Sequence, residues 1–273
     1  MSEQFRKKKQ YGQNFLTNPA IPQRIVKESG IDETCGVLEI GPGLGALTLQ
    51  LAPVARKIVA VEIDHELIQP LTEIFSPYEH ITLVENDIMK VDLDGLLNEH
   101  FPNMTVCVCA NLPYYITTPI LMKLLEGKHG FRSITVMVQK EVAERLCAKS
   151  GDDGYGAITA SIGYYGKVKR LFTVTAGNFS PKPKVDSAVI RIDLYEEPPV
   201  CVEDEALFFD VIKAAFLQRR KTLSNALASY FPAFTKEDIC EILVSLGMRP
   251  DARGEMLSTL QFAAVANEIV KRK

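Results

Sequence analysis

The sequence predicts an α/β fold: a parallel sheet ending in a hairpin-like pair of strands, followed by a small all-helical domain, within 273 residues. Three observations carry this reading. Short apolar, β-rich runs alternate with amphipathic helical ones over the first two-thirds of the chain, the pattern of repeated βαβ units. A glycine-rich turn, Gly41-Pro42-Gly43-Leu44-Gly45, follows the first such run directly. The composition then changes at Glu196-Glu197-Pro198-Pro199, a stiff acidic linker beyond which only helical patterns occur.

Five near-continuously apolar runs read as strands covered on both faces: Gly36 to Ile40, Ile58 to Glu62, Ile81 to Val84, Met104 to Ala110 and Ser133 to Val138. Helical patterns cover Ala46 to Leu51, Glu66 to Phe75, Thr118 to Leu125, Lys140 to Cys147 and Ala157 to Tyr165. Two further strands, Lys169 to Val174 and Ser187 to Leu194, bring the sheet to seven. Past the linker, helices are expected over Leu207 to Leu217 and Thr222 to Ala228, then from Thr235, with Asp238 completing a capping box, and from Ser258 to the end. This places one domain at 1–197 and a second, helical one at 198–273, thin for a free-standing unit. No internal repeat or low-complexity segment stands out.

At 47% hydrophobic and 24% charged residues, the composition is that of an ordinary soluble globular protein. The polar, basic N-terminus has no apolar core segment and no run is long enough to span a bilayer, so neither export nor membrane insertion is expected. Six cysteines form no CxxC pair and no disulfide-like framework, which suits a reducing cytoplasm. Cys107 and Cys109 alternate within a predicted strand and should share one face, in the core; no metal site is expected. His65, His80, His100 and His129 are scattered through polar segments, none with a catalytic setting.

The net charge of -3 conceals segregation. Basic residues gather in Arg6-Lys7-Lys8-Lys9, in Lys167, Lys169 and Arg170 with Lys182 and Lys184, and in Arg219-Arg220-Lys221. Acidic residues dominate from Asp32 to Glu99 and from Asp193 to Asp210. Any single cluster could be solvated surface, but three beside the motifs below point to a face that holds RNA phosphates.

Glycines at 41, 43 and 45 let the backbone turn sharply and approach a ligand closely. Gly41-x-Gly43-x-x-Ala46, with Glu62 at the distance of a ribose-binding acid, fits nicotinamide dinucleotides and S-adenosylmethionine alike. Two acids favour the second. Glu39, just before the glycines, would oppose a pyrophosphate but can order the loop or face a cationic amino-acid end. Asp87 follows the third strand, where a carboxylate can accept from an adenine amino group. With Glu62 accepting ribose hydroxyls, acids follow three successive strands at the carboxyl edge, where open α/β sheets bind ligands.

Asn111-Leu112-Pro113-Tyr114 follows the fourth strand. Pro113 stiffens the turn, so its carbonyls can point outward. An exocyclic adenine nitrogen is a poor nucleophile because its lone pair is delocalised into the ring. The Asn111 side-chain oxygen and the Leu112 carbonyl can both accept its N6–H bonds, favouring a pyramidal nitrogen. Tyr114 offers a ring on which an extruded base can stack. Together the two motifs read as methyl transfer from S-adenosylmethionine to a nucleobase nitrogen, by orientation and electrostatics and without a strong base. The arrangement matches a Rossmann-like seven-stranded S-adenosylmethionine-dependent methyltransferase domain with a small C-terminal all-helical domain.

The chain resembles the 16S rRNA adenine N6,N6-dimethyltransferase family over nearly its whole length. The resemblance rests on Gly12-Gln13-Asn14-Phe15-Leu16, the two motifs above, Phe179-Ser180-Pro181-Lys182-Pro183-Lys184-Val185-Asp186-Ser187-Ala188, and Phe216-Leu217-Gln218-Arg219-Arg220-Lys221-Thr222-Leu223. It implies that Asn14 and Leu16 close over the cofactor, that Gly41, Gly43, Glu62, Asp87 and Asn111 complete its site, and that Phe179 packs on the target adenine opposite Tyr114. Tyr115 stands where relatives often carry a smaller polar residue and is expected beside the pocket. The implied reaction is dimethylation of two adjacent adenosines in the 3′-terminal hairpin loop of small-subunit rRNA, by a cytoplasmic monomer acting on an assembling ribosomal particle. The alternatives are a large-subunit rRNA adenine methyltransferase conferring antibiotic resistance, a non-catalytic rRNA-binding assembly factor of the same fold, and a nicotinamide oxidoreductase.

Overall fold

A computed structural model describes residues 14–218 and 220–272. The basic run Arg6 to Lys9, Gly12, Gln13 and Arg219 lie outside the described residues. In chain order the elements begin with β1 (Phe15–Leu16), α1 (Ala20–Ser29), β2 (Cys35–Ile40), α2 (Thr48–Leu51), β3 (Lys57–Glu62) and α3 (His65–Phe75). They continue with β4 (Ile81–Glu85), α4 (Leu93–His100), β5 (Thr105–Asn111), α5 (Thr117–Glu126), β6 (Ser133–Gln139), α6 (Lys140–Leu146) and α7 (Ala157–Tyr165). The last are β7 (Gly166–Val174), β8 (Phe179–Ser180), β9 (Ser187–Leu194), α8 (Glu205–Leu217), α9 (Leu223–Tyr230), α10 (Lys236–Ser245) and α11 (Thr259–Lys271).

Seven strands form one sheet in the order β4-β3-β2-β5-β6-β9-β7. The pairs β4–β3, β3–β2, β2–β5 and β5–β6 are parallel, while β9 runs antiparallel to β6 with Ser187 opposite Gln139. Strand order therefore reverses between β2 and β5, and a crevice opens there beyond the strands' carboxyl ends. β2 is buried at all six positions, as its unbroken apolar run requires. Cys107 and Cys109 lie fully buried in one core cluster with Val37, Ile58, Met137 and Val189.

Four elements were not anticipated. α1 buries Pro22, Ile25, Val26 and Ser29 along one face, and α4 depends on Asp92, whose side chain accepts from the Gly95 N–H. β1 and β8 form a separate two-stranded antiparallel ladder, Phe15 opposite Ser180 and Leu16 opposite Phe179, too short to leave a period in sequence. The helix expected from Ala46 starts at Thr48: the Gln50 N–H bonds the Leu47 carbonyl, three residues back, so the regular ladder begins only after Ala46.

The described residues divide into two compact units, those up to 143 with 169–194 and 144–168 with those from 195 on. The second unit thus includes α7, which precedes the acidic linker. In it, Thr259 at the start of α11 donates to the Ala160 carbonyl at 2.9 Å, and Tyr164 and Tyr165 pack on Phe208 and Phe209 of α8. Both expected caps are present as reciprocal boxes, Thr235 with Asp238 and Ser258 with Gln261. Among the described residues no helix is long and apolar enough to cross a membrane, and no cluster of His, Cys, Asp and Glu could hold a metal.

Candidate active site

The crevice at the strand-order reversal is a cleft of about 790 Å³, counted out to its open mouth, built within the sheet unit. Its walls are the glycine turn after β2, the end of β3, the Asn111-to-Tyr114 segment after β5, and the β1 arm. Gly41 and Gly43 take positive φ, and a Cβ at Gly41 would meet nothing within 4 Å, so bare backbone faces the space. A Cβ at Gly43 would come within 3.1 Å of the Phe15 ring, which lies across the turn from the arm.

Two buried acids hold this wall. Glu62, 4% exposed, is clamped by backbone: its Oε1 accepts from Asp64 N–H at 2.9 Å and its Oε2 from Gly43 N–H at 3.2 Å. A carboxylate has about four acceptor positions, so two backbone bonds leave capacity for ligand hydroxyls. Burial pushes its carboxyl above the usual range, and the backbone N–H groups oppose that. Glu39, 1% exposed, has an Oε2 that meets no hydrogen-bond partner among the described residues. Burial pushes its carboxyl up to about 8, with the nearby Glu62 charge adding to the effect. A buried carboxyl in the wall of a cleft, its Oε2 without a partner among the described residues, is a group that a cationic ligand would satisfy. These walls fit S-adenosylmethionine: backbone for close approach, a clamped carboxylate for ribose, a second acid for the ammonium.

Asn111 ends β5, and its Nδ2 donates to the Asn14 carbonyl of the arm at 3.2 Å, leaving Oδ1 as the acceptor end of the amide. Leu112 N–H donates to the Met137 carbonyl. The Pro113 carbonyl accepts from Ile116 N–H and from the Thr117 hydroxyl, so the Leu112 carbonyl stays outside the turn's own hydrogen bonds. Tyr114 opens a single 3₁₀ turn, Tyr114–Ile116, with its hydroxyl 2.5 Å from Ser187 Oγ.

Of the expected site residues, Asn14, Leu16, Gly41, Gly43, Glu62, Asn111, Leu112, Pro113 and Tyr114 share this one cleft. Two stand apart. Asp87 lies past the end of β4, outside the lining, where Oδ1 accepts from the Met89 N–H. Phe179, 4% exposed, packs in the core cluster and does not line the cleft. Tyr115 follows Tyr114 without lining the cleft and is 58% exposed. Sequence reasoning missed Phe15, Leu44, Leu47 and Ile63, all in the lining. Leu44 and Ile63 are each 41% exposed despite being apolar, and an apolar residue directly after the strand-end acid Glu62 was the legible signal.

A seven-stranded Rossmann-like sheet whose β9 runs antiparallel to β6, with this cleft at its switch point, is the architecture of an S-adenosylmethionine-dependent methyltransferase. The family described as Ribosomal RNA adenine dimethylase matches residues 4–271. The chain is 46% identical over 265 residues to ribosomal RNA small subunit methyltransferase A of Geobacillus sp. (strain WCH70), covering 96% of this chain and 91% of that one. Identity to the protein of the same name from Bacillus cereus (strain B4264) is 46% over 269 residues, covering 97% and 92%. Among solved structures, a dimethyladenosine transferase from Plasmodium falciparum superposes with a TM-score of 0.80 at 27% identity, covering 94% of this chain and 98% of that one. The 23S rRNA methyltransferase ErmE shares the fold, with a TM-score of 0.72 at 24% identity over 94% of this chain and 100% of that one. The chain belongs to the ribosomal RNA adenine dimethylase family and acts on rRNA with S-adenosylmethionine as methyl donor.

Proposed function

We propose that this protein dimethylates N6 of two adjacent adenosines in the 3′-terminal hairpin loop of small-subunit (16S) rRNA, acting as a cytoplasmic monomer on an assembling particle. Near-full-length identity to small-subunit methyltransferases supports that choice of subunit. The observation that carries the chemistry is the Asn111 amide, tied through Nδ2 to the Asn14 carbonyl so that its oxygen is the end available to a substrate N–H.

S-adenosylmethionine supplies an electrophilic methyl group on a sulfonium. The chain supplies placement. Gly41 and Gly43 let backbone lie against the cofactor, Glu62 accepts its ribose hydroxyls, Glu39 faces its ammonium, and Asp87 accepts from its adenine amine. Asn14 and Leu16 cover it from the arm. On the other side, Asn111 Oδ1 and the Leu112 carbonyl take the two N6–H bonds, so that the nitrogen lone pair points at the methyl carbon. Pro113 keeps that turn stiff, and Tyr114 stacks on the base. For Phe179 to pack on the opposite face, its ring must turn out of the core cluster as the base enters. The helical domain, 198–273 with residues 144–168 packed into it, grips rRNA backbone away from the chemistry, helped by exposed Lys167, Arg170, Lys182, Lys184, Arg220 and Lys221.

The test is incubation with methyl-labelled cofactor and small subunits lacking the modification, followed by nucleoside analysis. Dimethyladenosine in the 3′-terminal loop is the expected product. Label in large-subunit rRNA, or none in either subunit, contradicts the proposal.

A further inference from the structure

The hydroxyl of Tyr114 and Oγ of Ser187 lie 2.5 Å apart, although the residues are 73 positions apart in sequence. Ser187 is fully buried at the first position of β9, in register with Gln139 of β6. The residue before it is pinned twice: the Asp186 carboxylate accepts from Ala176 N–H at 2.9 Å, and its carbonyl accepts from Lys140 N–H at 2.9 Å. Ser187 is therefore a fixed post on the sheet. Tyr114, by contrast, sits in one turn of 3₁₀ helix whose ring edges the cleft. Its backbone is held by β5 and its hydroxyl by β9, two strands separated by β6. A ring tethered at both ends keeps one orientation; with the far tether cut, only the rotamer preferences of its two side-chain torsions remain.

We infer that Ser187 is a positioning residue for methyl transfer, holding the Tyr114 ring in the plane on which the target base stacks. This rests on the proposed seating of the base against Tyr114. The competing account is that Ser187 merely satisfies a buried hydroxyl. In that case removing either hydroxyl changes stability and leaves the reaction alone.

The test measures single-turnover methylation of unmodified small subunits by Tyr114→Phe, Ser187→Ala, the double variant, Ser187→Thr and Tyr114→Ala, with cofactor affinity measured in parallel. Tyr114→Phe and Ser187→Ala should each slow the saturated rate on the order of tenfold, since small misplacements at reacting groups cost that much or more. Cofactor affinity should stay at the wild-type value. The double variant should be no slower than either single one, because both cut the same tether, and Ser187→Thr, which keeps the hydroxyl, should recover most of the rate. Wild-type rates for Tyr114→Phe or Ser187→Ala, or losses that multiply in the double variant, overturn the inference. Should Ser187→Ala fail to fold, Tyr114→Phe reads the same tether from the other end. Tyr114→Ala separates the two levels. If it is inactive while Tyr114→Phe is fully active, the base seating stands and the tether falls; if it too is fully active, the seating falls.

Discussion

The two walls of the cleft are built in different ways. On the side proposed for the cofactor, the lining groups are backbone at Gly41 and Gly43 and two carboxylates buried at the carboxyl ends of adjacent strands. Glu62 is clamped by N–H groups only 2 and 19 residues away. On the side proposed for the methyl acceptor, the lining groups are held by long-range tethers: Asn111 to Asn14 across 97 residues and Tyr114 to Ser187 across 73. Phe179 is still packed in the core. A locally built wall is complete once the sheet forms. A wall assembled from distant segments can couple its parts, because the arm bonds Asn111 through Asn14 and pairs with β8 through Leu16 opposite Phe179.

That contrast can be broken or sharpened by substitution. The largest effect is expected at the acceptor wall: Asn111→Ala should lower the saturated transfer rate by roughly a hundredfold or more while particle binding stays near wild type. Normal methylation by this variant would remove the acceptor geometry. Next, Glu62→Ala should weaken cofactor binding by about one to two orders of magnitude, leaving rRNA affinity in place, as loss of a clamped, charged acceptor predicts. Calorimetry and filter binding on one preparation would distinguish this from misfolding, which lowers both.

Glu39 gives a smaller, pH-dependent effect. Its carboxyl is raised by burial to about 8 from 4.5, so in the free protein it contributes stability at low pH that is lost as pH rises through that window. A cationic ligand group beside it favours the carboxylate. Cofactor binding near neutral pH should therefore release a proton, and affinity should climb with pH by at most about tenfold per unit. Calorimetry in buffers of different ionisation heats reads the proton directly, and Glu39→Gln should abolish that release. An unchanged release in the variant assigns it elsewhere. The smallest effect is at the surface: Arg220→Ala with Lys221→Ala should cost particle affinity severalfold and shallow its salt dependence by about one unit per lost phosphate contact. The saturated rate should not move.

The same contrast explains what the sequence disclosed. Glu39, the glycines and Glu62 were readable because each directly follows or ends an apolar strand, so covalent neighbourhood alone places it at the sheet's carboxyl edge. The five parallel strands and the Thr235 and Ser258 caps were readable for similar reasons, being local patterns with local causes. The β1–β8 ladder was not, since two residues carry no period and the pairing joins distant positions, Phe15 with Ser180 and Leu16 with Phe179. Nor was the Ser187 tether, because a serine opening a strand looks the same whether it meets solvent or a tyrosine. Gly163 shows the limit again in the helical unit: a Cβ there would collide with the Thr259 hydroxyl, a constraint set by a helix 96 residues later. Asp87 and Phe179 were named from position and resemblance, and neither lines the cleft in this conformation.

The central claim is that one cleft holds a sulfonium methyl and an adenine amine side by side, with Asn111 between them. Binding of a bisubstrate analogue, adenosine joined through N6 to the cofactor's sulfur position, tests it directly. The account predicts that this compound binds the wild-type protein more tightly than the cofactor portion alone, and that Asn111→Ala erases the gain. Equal affinity for the analogue and the cofactor portion in the wild-type protein would contradict it.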